Sequence, residues 1–243
     1  MTERALPPPF TLVALEETDS TNDDVKRRAA AGAGHGLVVT AERQSMGRGR
    51  SGRVWDSPAG NLHCSILLDC DLPPTRAPEL AFVAAVALYE ALAALLPAAA
   101  FRLKWPNDVL CAGAKLAGML LESIPPRVVL GVGVDVASAP QTALYPATCL
   151  HRQGSGAQPF DVLAGFCGQL GLWYDRWREA GFAPVRKAWL GYADAIGRPL
   201  TVRPAAEQSV EGRFAGIDER GALLLDLSDG RRLVLLAGDV LLG

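Results

Sequence analysis

Apolar and polar positions change period several times along the chain, and each change marks an element. Phe10 to Leu15 reads as a short strand. Ser20 or Thr21 then caps a helix, with Asp23 and Asp24 in its first turn and Lys26 to Arg28 later, the charge order its dipole favours. Gly32 and Gly34 end it. Leu37 to Thr40 and Asn61 to Leu68 predict two strands, the second entered through the turn Ser57-Pro58-Ala59-Gly60. Arg76 to Leu96 is rich in Ala and Leu and predicts a helix buried against a sheet, with Pro78 tolerated in its first turn. Glu90 and the modest length set this stretch apart from a membrane span. Phe101 to Lys104 opens a new strand. Cys111-Ala112-Gly113-Ala114 is a hairpin connection, Lys115 starts the apolar strand after it, and Val128 to Val136 is another. Pro140 to Gly156 is loop-rich. Asp161 to Glu179, bearing Phe166, Trp173 and Trp177, and the shorter Pro184 to Tyr192 predict two helices with aromatics in the core.

After Ile196-Gly197-Arg198-Pro199 the texture becomes short strands: Leu200 to Arg203, Val210 to Ile217, Leu223 to Leu227 and Leu233 to Leu236. Glu219-Arg220-Gly221 and Ser228-Asp229-Gly230 supply the hairpin connections. The pattern predicts an α+β chain. A mixed-sheet domain with helices occupies 1–195, and a small antiparallel barrel, leaning on it for stability, occupies 196–243.

Composition narrows the chemistry. Hydrophobic residues make up 49% of the 243, enough for a sizeable core, and the net charge of −2 argues against a general nucleic-acid binder. Cys64, Cys70, Cys111, Cys149 and Cys167 form no CxxC pair, and His35, His63 and His151 form no ligand motif. That pattern argues against a disulfide framework or a zinc site and fits a reducing cytoplasm. Met1 to Phe10 contains no apolar signal segment.

The densest chemistry lies in Gln44-Ser45-Met46-Gly47-Arg48-Gly49-Arg50-Ser51-Gly52-Arg53-Val54-Trp55. Glycines let backbone N–H groups approach a ligand, and arginines present forked donors to phosphate or carboxylate oxygens. A core segment could not satisfy three guanidiniums, so this is a binding loop, able to close over an anion. Two further blocks stand out, Lys104-Trp105-Pro106-Asn107-Asp108 and Lys115-Leu116-Ala117-Gly118. Gly131-Val132-Gly133-Val134-Asp135 lacks the third glycine and the following helix of a dinucleotide fingerprint, so its glycines admit a ligand against the sheet instead.

Together with Ser20-Thr21-Asn22, these blocks occur in the order seen in biotin–protein ligases, and the chain resembles that family over nearly its whole length. The resemblance implies a class II synthetase-like biotin/lipoate ligase fold with a C-terminal SH3-like barrel. It implies activation of biotin by ATP and Mg²⁺ to biotinyl-5′-AMP, then transfer to a lysine of a biotin carboxyl carrier domain of a carboxylase. Lys115, Arg48 and Arg50 take the catalytic positions. Ser20, Thr21, Asn22, Gln44, Gly47, Arg48, Trp55, Lys115, Gly118 and Gly131 fall on the biotin side. Arg50, Arg53, Lys104, Asn107 and Asp135 fall on the ATP side, and no protein site for the metal is implied beyond the ATP phosphates. The family usually has Asn where Asp135 stands; an acid there would repel phosphate unless it meets Mg²⁺ or an arginine. Ser20 arrives after 19 residues, leaving no room for the DNA-binding domain some members carry, so no DNA and no membrane partner is expected. Monomer or homodimer stays open. A lipoate–protein ligase is the competing enzyme, and a nucleic-acid module built on the Gly/Arg loop is the competing binding reading.

Overall fold

The computed structural model describes residues 5–70, 73–141, 145–203 and 208–241. A seven-stranded sheet carries the larger part. Its strands are β1 (Thr11–Thr18), β2 (Leu37–Gln44), β3 (Leu62–Asp69), β4 (Phe101–Lys104), β5 (Asp108–Cys111), β6 (Ala114–Ile124) and β7 (Arg127–Val134), ordered β1-β2-β3-β7-β6-β5-β4. Only β1 and β2 run parallel, joined by helix α1 (Thr21–Ala30); the other neighbours are antiparallel, so the sheet is mixed as expected. The β5–β6 connection turns on Ala112 and Gly113 at φ 50° and 79°, the two positive values a tight hairpin turn requires.

One face of the sheet is covered by α2 (Glu79–Leu95), α3 (Pro159–Ala180) and α4 (Phe182–Tyr192). Helix α2 is apolar nearly all round because it is buried nearly all round. Its acids are bound by the helices beside it. Glu90 accepts from Trp173 Nε1 at 2.8 Å and Tyr192 Oη at 3.1 Å, and Glu79 accepts from Trp177 Nε1 at 2.5 Å. Among the described residues no helix is long and apolar enough to cross a membrane. A smaller core of Val25, Val39, Leu67 and Val129 seats α1 on the opposite face.

The C-terminal part is a five-stranded antiparallel sheet, β8 (Pro199–Arg203), β9 (Val210–Ile217), β10 (Leu223–Asp226), β11 (Arg232–Leu235) and β12 (Asp239–Leu241), ordered β11-β10-β9-β8-β12. The fifth strand, only three residues long, escapes the hydrophobic pattern. Val202, Phe214, Ile217, Leu223, Leu225 and Val240 belong to the same continuous core as α2. Trp105 Nε1 donates to Gly221 O at 3.0 Å across that boundary. Elsewhere the expected elements differ only at their ends: β2 runs on to Gln44, α2 begins at Glu79 after a short turn, and α3 begins at Pro159 behind a capping box of Gln158 and Asp161. Residues 142–144 of the expected loop lie outside the described residues.

Candidate active site

A cavity of about 540 Å³ opens on the α1 face, and strand alternation supplies its floor. Along β7 the even-numbered residues Val128 to Val134 enter the main core, leaving Gly131 and Gly133 facing the cavity side. Along β6 the corresponding row is Gly118 and Leu120, with Glu122 next in line. The registers Ser65↔Gly131↔Leu120 and His63↔Gly133↔Gly118 align these rows across three strands. Glycine is required here by close approach. A Cβ at Gly131 would overlap the Asn22 side-chain oxygen, and one at Gly133 would overlap the Trp55 indole.

One end of the floor meets the start of α1, where Ser20, Thr21 and Asn22 are all buried. Gln44 Oε1 accepts from Thr21 N at 2.8 Å and Thr21 Oγ1 at 3.1 Å, while Gln44 Nε2 donates to Ser57 Oγ at 2.9 Å. Ser65 Oγ lies 2.5 Å from Asn22 Oδ1 and 2.7 Å from Thr21 Oγ1. Its single proton serves one of them, leaving donor and acceptor capacity for a small polar ring. Gly131→Ala is therefore expected to weaken binding of such a ring by roughly tenfold, the cost of displacing one hydrogen-bonded amide. Calorimetric titration of the ligand against parent and variant checks this.

The Gly/Arg loop leaves β2 at Gln44 and folds back on itself. Trp55 N donates to Gly47 O at 2.9 Å, Gly49 N to Arg53 O at 2.7 Å, and Ser51 and Gly52 turn at φ 55° and 72°. Gly47, expected on the biotin side, does not line the cavity. It backs onto Ser57 Oγ and the Trp55 carbonyl, each 2.5 Å from where its Cβ would stand, so its task is to let the loop close. The arginines hold separate partners. Arg48 grips Asp23 at 2.5 and 2.6 Å; Arg50 donates to Asn107 Oδ1 and to Gly238 O, both at 3.2 Å; Arg53 pairs with Asp239 at 2.7 Å. The barrel thus helps build the cavity wall, and Asp239 and Val240 line it.

Lys115 lies at the middle of this arrangement. Its Nζ pairs with Asp108 Oδ1 at 2.7 Å and stands 5.5 Å from the Trp55 ring centre. Buried Asp108 also holds Lys104 at 3.3 Å. Burial pushes the Asp108 carboxyl up, yet the charges of Lys115 and Lys104 outweigh it and hold it below the usual carboxylate range. Asn107, beside it, donates to Met119 O.

Apart from Gly47, every residue expected at the site lines this one cavity. Residues 14–135 match the model of the biotin/lipoate A/B protein ligase family, and residues 195–243 that of the biotin protein ligase C-terminal domain. A biotin--[acetyl-CoA-carboxylase] ligase of Paracoccus denitrificans is 39% identical, with 94% of this chain and 99% of the relative covered. The chain belongs to the biotin protein ligase family. The enzyme of the same name from Mycobacterium tuberculosis is 37% identical over 94% of this chain and 88% of its own. A biotin protein ligase from Aquifex aeolicus, solved with biotin and ATP, superposes with a TM-score of 0.84 at 27% identity, covering 95% of this chain and 97% of that one.

Of the two partners that would let an acid sit at Asp135, Mg²⁺ or an arginine, no arginine pairs with it among the described residues. It is buried and accepts from Asn61 Nδ2 at 3.3 Å. Burial pushes its carboxyl up to about 7; Lys115 opposes this and Asp56 adds to it. Near neutrality the group therefore carries a proton much of the time and resembles an amide more than an anion. Below about pH 4 both folded and unfolded chains hold that proton. As pH rises toward 7 only the unfolded chain releases it, so the folded state loses stability on the order of 4 kcal/mol across that window. Asp135→Asn is expected to raise the Tm by several degrees at pH 8, and by much less at pH 5. Thermal unfolding at both pH values checks this; an equal gain at both would contradict it.

Asp108, Asp23, Glu122 and Asp239 are the site neighbours that sequence reasoning missed. Asp108 had a signal, an acid four residues after one lysine and seven before another; Asp239 had none.

Proposed function

We propose that the chain condenses biotin with ATP to biotinyl-5′-AMP and transfers the biotinyl group to a lysine of a biotin carboxyl carrier domain. One observation carries this reading. A single cavity joins the buried polar seat of Ser20, Thr21, Asn22 and Gln44 to a basic wall of Arg48, Arg50, Arg53, Lys104 and Lys115. In the first step a biotin carboxylate oxygen attacks the α-phosphorus and pyrophosphate leaves with the bonding pair. On this reading Lys115 would stand where the two anions meet, lowering their repulsion and stabilising the charge that builds on the phosphate. Gly118 keeps the floor open beside it, since a Cβ there would lie 3.3 Å from Lys115 Nζ. Arg50, Asn107, Asp239 and Trp55 line the same cavity; the first three would take the nucleotide and Trp55 would wall the junction against water. In the second step the carrier lysine attacks the acyl carbon, AMP leaves, and the amine loses a proton.

Magnesium would arrive on the ATP phosphates, where it would supply charge neutralisation. A lipoate ligase is disfavoured by the match of residues 195–243 to the biotin protein ligase C-terminal domain. A nucleic-acid module is disfavoured because Arg48 and Arg53 are already paired with internal carboxylates. The same reading puts the protein in the cytoplasm, with the carrier domain as partner and neither DNA nor membrane. The test is incubation with ATP, Mg²⁺, biotin and a carrier domain, followed by intact mass. A carrier heavier by one biotinyl group on one lysine supports the reading, and an unmodified carrier refutes it.

A further inference from the structure

Glu122 does not line the cavity, yet its carboxylate collects donors from three places. Asn22 Nδ2 reaches Oε2 at 2.5 Å, Lys26 Nζ reaches Oε1 at 2.9 Å, and Arg48 Nη2 lies 3.3 and 3.5 Å from the two oxygens. Arg48 is also held bidentately by Asp23, which Lys26 touches at 3.3 Å. Two cations face two carboxylates, so the half-buried cluster is electrically balanced. Burial pushes the Glu122 carboxyl up, but Asn22, Lys26 and the Arg48 charge outweigh it and keep it ionised through the neutral range. The Asp23–Lys26 contact is local to α1. The ties to Glu122 are not, since they join α1 and the loop to β6 near its C-terminal end.

We propose that Glu122 is a positioning residue for retention of the acyl-adenylate. Its charge ties Arg48, on the loop, to Asn22, in the polar seat, so that loop and seat hold one register. Resting on the ligase reading above, this assigns adenylate release to a group that touches no substrate. Loss of the charge should free the loop through Arg48 and loosen the seat through Asn22, and these two routes can be separated.

The experiment measures release of radiolabelled biotinyl-adenylate from the full chain, with biotin affinity by calorimetry. Glu122→Gln keeps the size but replaces a charge with an amide that offers N–H groups to the cations. It is expected to speed release about tenfold and weaken biotin several-fold. In an Arg48→Gly background the same substitution should change release less than twofold, while the effect on biotin remains. Equal acceleration in both backgrounds, or unchanged release in the single variant, overturns the proposal. If Glu122→Gln does not fold, Glu122→Asp keeps the charge but withdraws from Arg48, its most distant donor. A threefold faster release is then expected, and unchanged release overturns the proposal. A parent chain that forms no adenylate from biotin and ATP overturns the ligase reading itself, and is seen before any variant is compared.

Discussion

Lys115→Ala is expected to slow adenylate formation by on the order of a hundredfold to a thousandfold, the usual loss when one preorganised charge is taken from a transition state. Biotin affinity should stay within a few-fold, because the polar seat at Thr21, Asn22 and Gln44 is untouched. The effect has two parts. The ammonium that would face the phosphate disappears, and Asp108, stripped of its 2.7 Å partner, keeps its ion pair with Lys104 at 3.3 Å and the weaker influence of Arg50. A buried carboxylate with less compensation then stands beside the reacting anions. Single-turnover kinetics with biotin at saturation reads the chemical step, and calorimetry reads binding. Abolished biotin binding, with adenylation tracking occupancy alone, would make Lys115 a binding residue instead.

Arg48→Gly is the second large effect. The guanidinium joins the loop to Asp23 on α1 and Glu122 on β6, and among the described residues no other loop arginine pairs with either carboxylate. Its removal deletes those ties and adds a fourth glycine to Gly47, Gly49 and Gly52, at roughly 0.5–1 kcal/mol of extra backbone freedom that closure must fix. The loop should open more often and the mixed anhydride escape before transfer. Free anhydride acylates any accessible amine, so labelling of serum albumin per adenylate formed should rise at least tenfold over the parent. Comparing biotin transfer to albumin with transfer to a carrier domain checks this. A variant that makes adenylate with the parent's selectivity would mean that the loop does not govern escape.

Much of the fold was legible in the sequence, for reasons particular residues make plain. The period-two rows of β7, the Ala/Leu-rich α2 and the aromatics of α3 each carry a pattern that only one kind of packing satisfies. The cavity lining was legible where chemistry is concentrated in short runs, as in Arg48 to Trp55 and Lys104 to Asn107. It was not legible where a partner comes from a distant segment. Asp23 reads as a first-turn acid and also serves there, so nothing in the sequence shows that it grips Arg48 25 positions away. Glu122 closes an apolar strand and looks like a solvated end, although it receives Asn22 and Arg48. Asp239 stands on a three-residue strand in the barrel, 186 positions from the Arg53 it pairs with. The resemblance places Gly47 on the biotin side; its Cα backs onto the loop's own Trp55 carbonyl and Ser57 hydroxyl, a contact no sequence pattern shows. Asp135 reads as an acid that would need Mg²⁺ or an arginine beside phosphate, and burial instead pushes its carboxyl up to about 7.

The most direct test of the central claim, that one cavity joins biotin to ATP around Lys115, is mass spectrometry of the enzyme after incubation with ATP, Mg²⁺ and either biotin or lipoate. Biotinyl-5′-AMP should appear at close to one equivalent per enzyme, be lost in Lys115→Ala on the same timescale, and be absent with lipoate. Lipoyl-AMP at comparable yield, or no acyl-adenylate from either acid, would contradict the account.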